Sequence, residues 1–356
     1  MTCSEVRLHI LRLISQGGIA PGGRLPTFRA LARECDTSVP TVQRAVAMLA
    51  SEGVLVSRVG SGTYVRERRS RSSGRLLGVL SPNSGTLFAN FISDAENAIR
   101  EVFFAADCVP VVVYPRAQLH GRERKEEELT LIRQLLRQGV AGLIINSGSG
   151  LNLEPELRSS GIPVVYFNNP GTDHGGFDFV SSDNYQIGRL AAERLISAEK
   201  FPCAVVGDSL ATYAVSERVL GFSDFCREAG VPEPRVISSD QLPVTYPVEL
   251  LDEFRGVRGV FGTNDADAVK MMNFFRENGV AVPGEIGVIG VDDGEICEHV
   301  TPRLDSIRQH AAVMGRKAAE LLLERVRNGM GDDFVTIKIR GELVTRESVV
   351  SPGAAK

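Results

Sequence analysis

Apolar residues recur along this chain in two different rhythms, and the change near residue 76 divides it. Before that point the spacing is helical. An amphipathic run carries Val6, Ile10, Leu13 and Ile14; Phe28, Leu31, Ala32 and Cys35 then fall at i, i+3, i+4 and i+7, and Val42, Ala45, Val46 and Leu49 repeat that spacing. Thr27 can cap the first of these two short helices and Ser38 the second, with Pro40 in a first turn that needs no intrahelical N–H. Asp36 and Thr37 form the turn between them, and Val39, Pro40, Gln43, Arg44 and Ala47 are left facing outward. After Gly53, two β-rich runs flank Gly60-Ser61-Gly62, with Arg58 and Arg66 beside the tip.

From Leu76 onward the runs are short, continuous and β-rich: LLGVLS, PVVVY, AGLIIN, PVVYFN, then CAVVGD, RVISSD, GVFGTN and IGVIGVDD. Helical stretches such as 88–105 and 184–199 separate them. Unbroken apolar strands between helices predict α/β architecture with parallel sheets covered on both faces. The alternation occurs twice, so each half is expected to be a doubly wound sheet, with a crevice facing both sets of strand carboxyl ends.

The opening segment predicts a reader of DNA. Two helices joined by a tight turn, the second exposing small and hydrogen-bonding residues near its start, suit a major groove, and a hairpin with basic flanks can reach a minor groove or a phosphate. Charge agrees. Residues 1–75 hold 12 Arg and no Lys against 5 acidic residues, while the remaining 281 hold 28 basic and 39 acidic. A basic head on an acidic body is expected where one end meets phosphate and the other must not. Residues 66–75, RERRSRSSGR, have no apolar member and read as a linker, whose arginines are either solvated or on phosphate.

The ends of the predicted strands carry Asn83, Asn146, Asn168, Asn169, Asn264, Asp265, Asp292 and Asp293. Singly, such residues serve as turn formers or helix caps. Together, amides and carboxylates around one crevice suit a neutral polyhydroxylated ligand such as a sugar. Aromatic faces for it would come from Phe88, Phe91, Tyr166 or Tyr246, although each also suits a core.

Composition narrows the alternatives. The chain has 356 residues, 43% hydrophobic and 24% charged, which is a soluble globular balance of two or three units. There is no run of eighteen apolar residues and no signal-peptide layout, so a cytoplasmic protein without membrane partners is expected. Cysteines 3, 35, 108, 203, 226 and 297 are scattered, with no CxxC pair, and are expected to be reduced and mostly buried. The five histidines are isolated, and no GK[ST], HExxH or GxSxG element occurs. No catalytic residue, metal or cofactor is expected. A secreted transporter component would not carry the basic head.

The head motifs carry a family resemblance. The landmarks PG, RLPT, T-V, A-x-x-L, EG and GSGT-Y-V run in order through residues 6–66, and this pattern resembles the winged-helix domain of the GntR family. The resemblance implies that Arg29 and Thr41 hold phosphate or base, that position 43 reads bases, and that Gly60 approaches the minor groove. Val39 and Gln43 stand where many members have Arg, which favours an adenine-directed contact over a guanine-directed one. The expected DNA-binding set is Arg29, Ser38, Val39, Pro40, Thr41, Gln43, Arg44, Arg58, Gly60 and Gly62.

The body resembles the effector-binding domain of the LacI/GalR repressors, related in fold to periplasmic sugar-binding proteins, through VSSDNYQIGRLAAERL, ERVLGF, VFGTNDADA, GVIGVDD and TPRLDSIRQHAAVMGRKAAELLL. The resemblance covers most of residues 76–348. It implies effector contacts at Arg218, Asn264, Asp292, Asn146, Asn168 and Gln309; with Asn83, Phe88 and Tyr246 these form the expected effector set. Arg218 suits either the ligand or a salt bridge to Glu217 or Asp292. The mixture of head and body resembles hybrid regulators of the arabinose-repressor type. Expected boundaries are a head at 1–66, a linker at 67–75, a body at 76–348 and a tail at 349–356. Within the body, one subdomain takes about 76–170 and 308–328 and the other about 171–306 and 334–348. Such a build implies a homodimeric repressor that binds an operator in duplex DNA, with affinity changed by a small sugar or, alternatively, a nucleobase-like metabolite.

Overall fold

The computed structural model describes residues 1–15, 19, 22–51, 54–58, 62–65, 76–82, 89–116, 119, 121–146, 154–168, 176–207, 212–238, 248–329 and 333–350. It divides into two units, Met1–Gly74 and Arg75–Lys356.

The first unit contains helices α1 (Cys3–Ser15), α2 (Phe28–Glu34) and α3 (Val39–Ser51) and a hairpin of β1 (Leu55–Arg58) and β2 (Gly62–Val65). Its periodic apolar positions converge: Val6, Ile10, Leu31, Ala32, Cys35, Val42, Ala45, Val46 and Leu49 are buried together with Leu25, Leu55 and Val65. At roughly 1.5–3 kcal/mol for each fully buried large aliphatic side chain, this shared core is what holds three short helices that would not persist alone. The caps fall where the sequence placed them. Thr27 Oγ1 accepts from the Ala30 amide at 3.2 Å, and Ser38 Oγ accepts from the Thr41 amide at 3.4 Å. The hairpin is antiparallel, in register from Leu55 opposite Val65 to Arg58 opposite Gly62. Arg24 forms a bridge to Tyr64, and the Leu25 amide donates to Thr63 O at 2.8 Å, so the segment before α2 lines the hairpin's other edge. Gly62 has a φ of +119°, a backbone conformation that favours glycine.

The second unit is two α/β lobes. The first lobe opens with β3 (Leu76–Leu80), α4 (Ala89–Ala105), β4 (Val109–Val113), α5 (Gly121–Gln138), β5 (Leu143–Ile145), α6 (Glu154–Ser160), β6 (Val164–Phe167) and β7 (Asp178–Ser182). The chain then enters the second lobe as α7 (Asn184–Ser197), β8 (Cys203–Gly207), α8 (Tyr213–Glu228), β9 (Arg235–Ser238) and a 3-10 helix at Val248–Phe254. That lobe continues through β10 (Gly259–Gly262), α9 (Asp265–Glu277), β11 (Gly287–Asp292), α10 (Ile296–His299) and β12 (Asp305–Arg308). Helix α11 (Ala311–Asn328) and β13 (Thr336–Ile339) return to the first lobe, and β14 (Glu342–Val344) ends in the second.

The first sheet runs β13-β7-β6-β5-β3-β4, all parallel; the second runs β14-β12-β11-β10-β8-β9, parallel except for the antiparallel pair β12–β14. Helices cover both faces of each, as continuous apolar strands require. Helices α4 and α11 lie on one face of the first sheet, α5 and α6 on the other. In the second lobe α7 and α8 share one core, and α9, α10 and the 3-10 helix the other.

The lobe boundaries differ from those read in the sequence. β7 was expected in the second half and pairs instead with β6 in the first sheet. The stretch 335–344, placed wholly in the second subdomain by the expected boundaries, holds two strands, β13 beside β7 and β14 beside β12, broken at Arg340 and Gly341 where the chain changes lobe. Apolar runs alone cannot reveal this, because a strand pointing into either lobe has the same pattern. Val349, expected in the tail, is buried in the second lobe's core and accepts a hydrogen bond from Arg194. In the charged run 122–128, Glu128 is buried and paired with Arg124 at 3.0 Å.

Candidate functional site

On the head, Arg29 is exposed on α2, and Ser38, Pro40, Gln43, Arg44 and Ala47 are exposed at or on α3. Thr41 is half-buried, its hydroxyl 2.8 Å from that of Ser38. Val39 was expected to face outward, but it is half-buried and packs against the head's core, because the first turn of α3 leans on the helix before it. Gly60, and the side chain of Arg58, lie outside the described residues. The exposed face at the start of α3 is thus polar and small, with one guanidinium and one carboxamide.

In the body the chain changes lobe three times, and the three crossings are bonded together. Ser182 Oγ, at the end of β7, donates to Gln309 Oε1 at 2.6 Å. Gln186 pairs with Gly341 through both amide atoms, at 2.9 and 3.3 Å. A Cβ on Gly341 would stand 2.8 Å from Ile187 and 2.9 Å from Ile307, so only glycine lets the third crossing lie this close.

The carboxyl ends of the second sheet lie beside these crossings and carry the charged groups. Arg218, on α8, is buried and directs its fork at three neutral acceptors: Nε to Asn184 Oδ1 at 2.9 Å, one terminal nitrogen to Thr263 O, and the other to Gln309 Oε1 at 2.9 Å. Gln309 in turn donates through Nε2 to Asp292 Oδ1. A continuous chain of bonds therefore runs Ser182, Gln309 and Arg218 on one branch and Gln309 to Asp292 on the other. Glu217, considered as a partner for Arg218, faces Lys338 instead at 3.9 Å.

Asp292 and Asp293 occupy consecutive positive-φ conformations, at +120° and +55°, and turn the chain sharply at the end of β11. Behind the turn lies Asp265, on α9 and 3% exposed. Its Oδ1 accepts from Ser306 Oγ at 2.6 Å, and its Oδ2 accepts from the Gly294 amide at 2.8 Å and Cys297 Sγ at 3.1 Å. Asp293 is held from the outside by Arg308 and Arg346, each at 2.7 Å. Burial lifts the Asp265 carboxyl to about 7, with the charge of Asp292 adding to the rise and the hydrogen bonds opposing it. Burial likewise lifts Asp292 to about 6, against the pull of Arg218, of Gln309 and of the Asp265 backbone amide. Two acids that resist ionisation and one fixed guanidinium leave the site close to neutral overall.

The other expected effector residues separate into three groups. Asn264 is buried and caps α9: Oδ1 accepts from the Asp267 amide at 2.7 Å and Nδ2 donates to Asp267 Oδ2 at 2.8 Å. Asn146 and Asn168 end β5 and β6, neighbouring strands of the first lobe; Asn146 is buried, and Asn168 adopts a φ of +63° with its Oδ1 buried and without a partner among the described residues. Asn83, Phe88 and Tyr246 lie outside the described residues. Phe91 and Tyr166, weighed as stacking faces, are core residues: Phe91 packs towards Phe167 at 6.4 Å between centroids, and Tyr166 meets Phe177 edge-on at 5.5 Å.

Sequence reasoning did not single out Ser182, Asn184 or Thr263 by role. All three carry polar side chains at strand ends or a helix start, and the pattern S-S-D-N after an apolar run was the available signal. Among the described residues there is no cluster of His, Cys, Asp and Glu arranged to hold a metal, and no helix is long and apolar enough to cross a membrane. All six cysteines are free thiols, five of them buried. The arrangement as a whole offers hydrogen-bond donors and acceptors fixed by neighbours, which is equipment for holding hydroxyl groups.

Known proteins bear on both units. Residues 2–65 match the model of bacterial regulatory proteins, gntR family, and residues 192–349 match that of the periplasmic binding protein-like domain. The arabinose metabolism transcriptional repressor of Geobacillus stearothermophilus is 25% identical over 362 residues, 97% of this chain and 96% of that protein. The transcriptional regulator CelR of Thermobifida fusca is 30% identical over 198 residues, which span 54% of this chain and 58% of that regulator. Among solved structures, a periplasmic binding protein/LacI transcriptional regulator from Alkaliphilus metalliredigens, complexed with D-xylulofuranose, aligns with a TM-score of 0.66 at 25% identity, covering 78% of this chain and all of that one.

Proposed function

We propose that this chain, which joins a gntR-family head to a periplasmic-binding-protein-like body of the LacI/GalR type, is a transcriptional repressor whose grip on its operator is set by a small neutral sugar held between the lobes. The observation that carries the reading is the position of Arg218, Gln309 and Asp292. They form one hydrogen-bonded chain at the carboxyl ends of the second sheet, and the same Gln309 is bonded to Ser182 in the first. A ligand whose hydroxyls take the guanidinium and the carboxylate reorders bonds that tie the two lobes, so occupancy and lobe geometry are linked. The near balance of charge favours an uncharged ligand. The D-xylulofuranose-bound neighbour and the arabinose-repressor relative support a monosaccharide over the nucleobase alternative.

The head supplies the other half. Its exposed α3 face fits a major groove, and its arginines supply phosphate contacts. A single head of this size buries too little surface for tight specific binding, so the working form is a homodimer on a two-fold site in the cytoplasm. A coupling of about 1–3 kcal/mol between the sites changes operator affinity about 5- to 150-fold.

Thermal shift of the full chain with L-arabinose, D-ribose, D-xylulose, cellobiose, adenine and hypoxanthine tests the cleft, because a ligand that binds only the folded state raises its midpoint. One of the sugars is expected to raise it, and Asp292→Ala to abolish the rise while selection on random duplexes still recovers a preferred site. A rise with the purine bases alone replaces the sugar reading with the nucleobase one. A chain that selects no duplex at all overturns the repressor reading.

A further inference from the structure

We propose that Asp265, a residue behind the candidate cleft, is the positioning residue for Asp292: its side chain folds the turn that carries Asp292. This rests on the reading of Asp292 as an effector contact and adds to it a second, non-contacting carboxylate.

The geometry is specific. The Asp265 carboxylate receives three donors from three separate places: Ser306 on β12, the Gly294 amide just past the turn, and Cys297 on α10. Ser306 Oγ relays the hold, since it also accepts from the Asp293 amide at 3.0 Å. The amides of both Asp293 and Gly294 are thereby fastened, directly or through one hydroxyl, to a single buried carboxylate. Asp292 and Asp293 sit in backbone conformations that residues with side chains rarely adopt, and such a turn persists only where its surroundings over-determine it. The sequence also clears the path. A Cβ on Gly290 would stand 2.3 Å from Asp265 Oδ1, so glycine in the middle of β11 is what admits this carboxylate.

The groups that face this pair are few. Arg218 on α8 attracts Asp292; Cys297 on α10 donates to Asp265; Arg346 and Arg308 are engaged by Asp293; and Gln309, uncharged, donates to Asp292. The two carboxylates repel each other, so ionised Asp265 makes Asp292 harder to ionise. A sugar hydroxyl donates best to an ionised Asp292. Affinity for such a ligand is therefore expected to fall as pH drops through the range in which Asp292 takes up its proton. Removing the charge at position 265 is expected to move that fall to lower pH.

The test uses the full chain with Asp265→Asn, which keeps the shape and removes the charge and one acceptor. Hydrogen exchange read by mass spectrometry on the segment 290–297 is expected to lose protection tenfold or more, while the first-lobe strands keep theirs. Affinity for whichever of L-arabinose, D-ribose, D-xylulose or cellobiose binds the wild type is expected to drop at least tenfold at pH 7.5, with its pH midpoint displaced downward. A general loss of stability has no reason to move a midpoint in that direction. Unchanged protection, or an unmoved midpoint, overturns the proposal. Should Asp265→Asn not fold, Ser306→Ala removes the relay and is expected to lower protection in the same segment; wild-type protection there overturns the proposal equally. If none of the four sugars binds the wild type, the sugar-cleft reading falls, and the exchange measurement still decides the role of Asp265.

Discussion

Ser182 and Gln309 meet at 2.6 Å, hydroxyl to amide oxygen, across the line where the chain passes between its two lobes. The same oxygen accepts from Arg218, so one carboxamide satisfies two buried donors from opposite lobes. The two partners are therefore unequal. Gln309→Ala leaves Ser182 only the weak thioether acceptor of Met314 at 3.2 Å and takes one of the acceptors of Arg218, at a cost of about 1–3 kcal/mol, whereas Ser182→Ala removes a donor and leaves Gln309 bonded. Urea unfolding is expected to rank Gln309→Ala as clearly the more destabilising; equal losses would mean that water replaces the amide freely.

Arg218 reaches three acceptors from three separate nitrogens of one planar fork, a spread that an ammonium, with its three donors on a single nitrogen, cannot reproduce. Arg218→Lys is thus expected to behave as a loss of function, not as a conservative change. Sugar affinity should fall at least tenfold, about 1.4 kcal/mol, in isothermal titration, and Asp292, deprived of its fixed cation, should take up its proton at higher pH. Wild-type affinity in Arg218→Lys would show that charge alone, without the fork, is sufficient.

The raised acids fix the direction of a pH effect on stability. Asp265 and Asp292 titrate at about 7 and about 6 in the fold against an ordinary 3.8, so between those limits the native chain holds protons that the unfolded chain has released. Stability from this pair is complete below about 3.8 and is lost as pH rises towards 7. Surface carboxylates such as Glu228 and Glu347, which Arg189 and Arg303 hold below their ordinary range, act in the opposite sense and only at lower pH. The expected readout is the difference in melting midpoint between the wild type and the Asp265→Asn, Asp292→Asn double variant. Across pH 5 to 7.5 that difference should move steadily in the variant's favour, and a constant difference would remove the pair as its source.

Two glycines set how closely α7 and α8 approach. A Cβ on Gly188 would lie 2.0 Å from Arg218 O, and one on Gly221 would lie 2.0 Å from Tyr185 O, so each helix uses a glycine against the other's backbone. Backbone cannot yield as a side-chain tip can. Gly188→Ala and Gly221→Ala are each expected to cost about 1–3 kcal/mol or more, despite the better helix propensity of alanine. Gly188→Ala should also disturb Arg218 and weaken sugar binding. A stabilised variant in chemical denaturation would contradict the close approach.

Much of this arrangement was legible in the residues because it follows from short-range periodicity. The spacing of Leu31, Val42 and Leu49 gave the head its helices, and unbroken runs such as GVIGV gave parallel strands buried on both faces. Arg218 and Asp292, named through the family resemblance, lie in one bonded cluster through Gln309, and the choice between ligand and salt bridge for Arg218 was not legible. The site was not legible where the use of a residue depends on which strands become neighbours. Nothing local distinguishes β7 as a member of the first sheet, so Ser182 could not be placed against Gln309, 127 residues away. Asn264 shows the opposite limit: its residue type suits a ligand and a helix cap equally, and its amide is turned onto Asp267. Asp265, one residue further on, reads as a turn former until Gly290 and Ser306 are seen around it.

The head permits a comparison in which two substitutions on neighbouring helices must fail in different ways. Gln43 and Arg29 are both exposed, the first on the outward face of α3 and the second on α2. A carboxamide can donate to and accept from one adenine edge, so its removal should penalise the preferred duplex by about 1–3 kcal/mol and leave other sequences almost untouched. Arg29 on the preceding helix is proposed to meet the phosphate backbone, which is the same in every sequence; its removal should then weaken all duplexes alike and reduce the slope of log affinity against log salt by about 1. Titrating Gln43→Ala and Arg29→Ala against a selected duplex and a scrambled one, at three salt concentrations, separates the two modes. A uniform loss for Gln43→Ala would remove α3 from base reading, and an unchanged salt slope for Arg29→Ala would take that residue off the backbone.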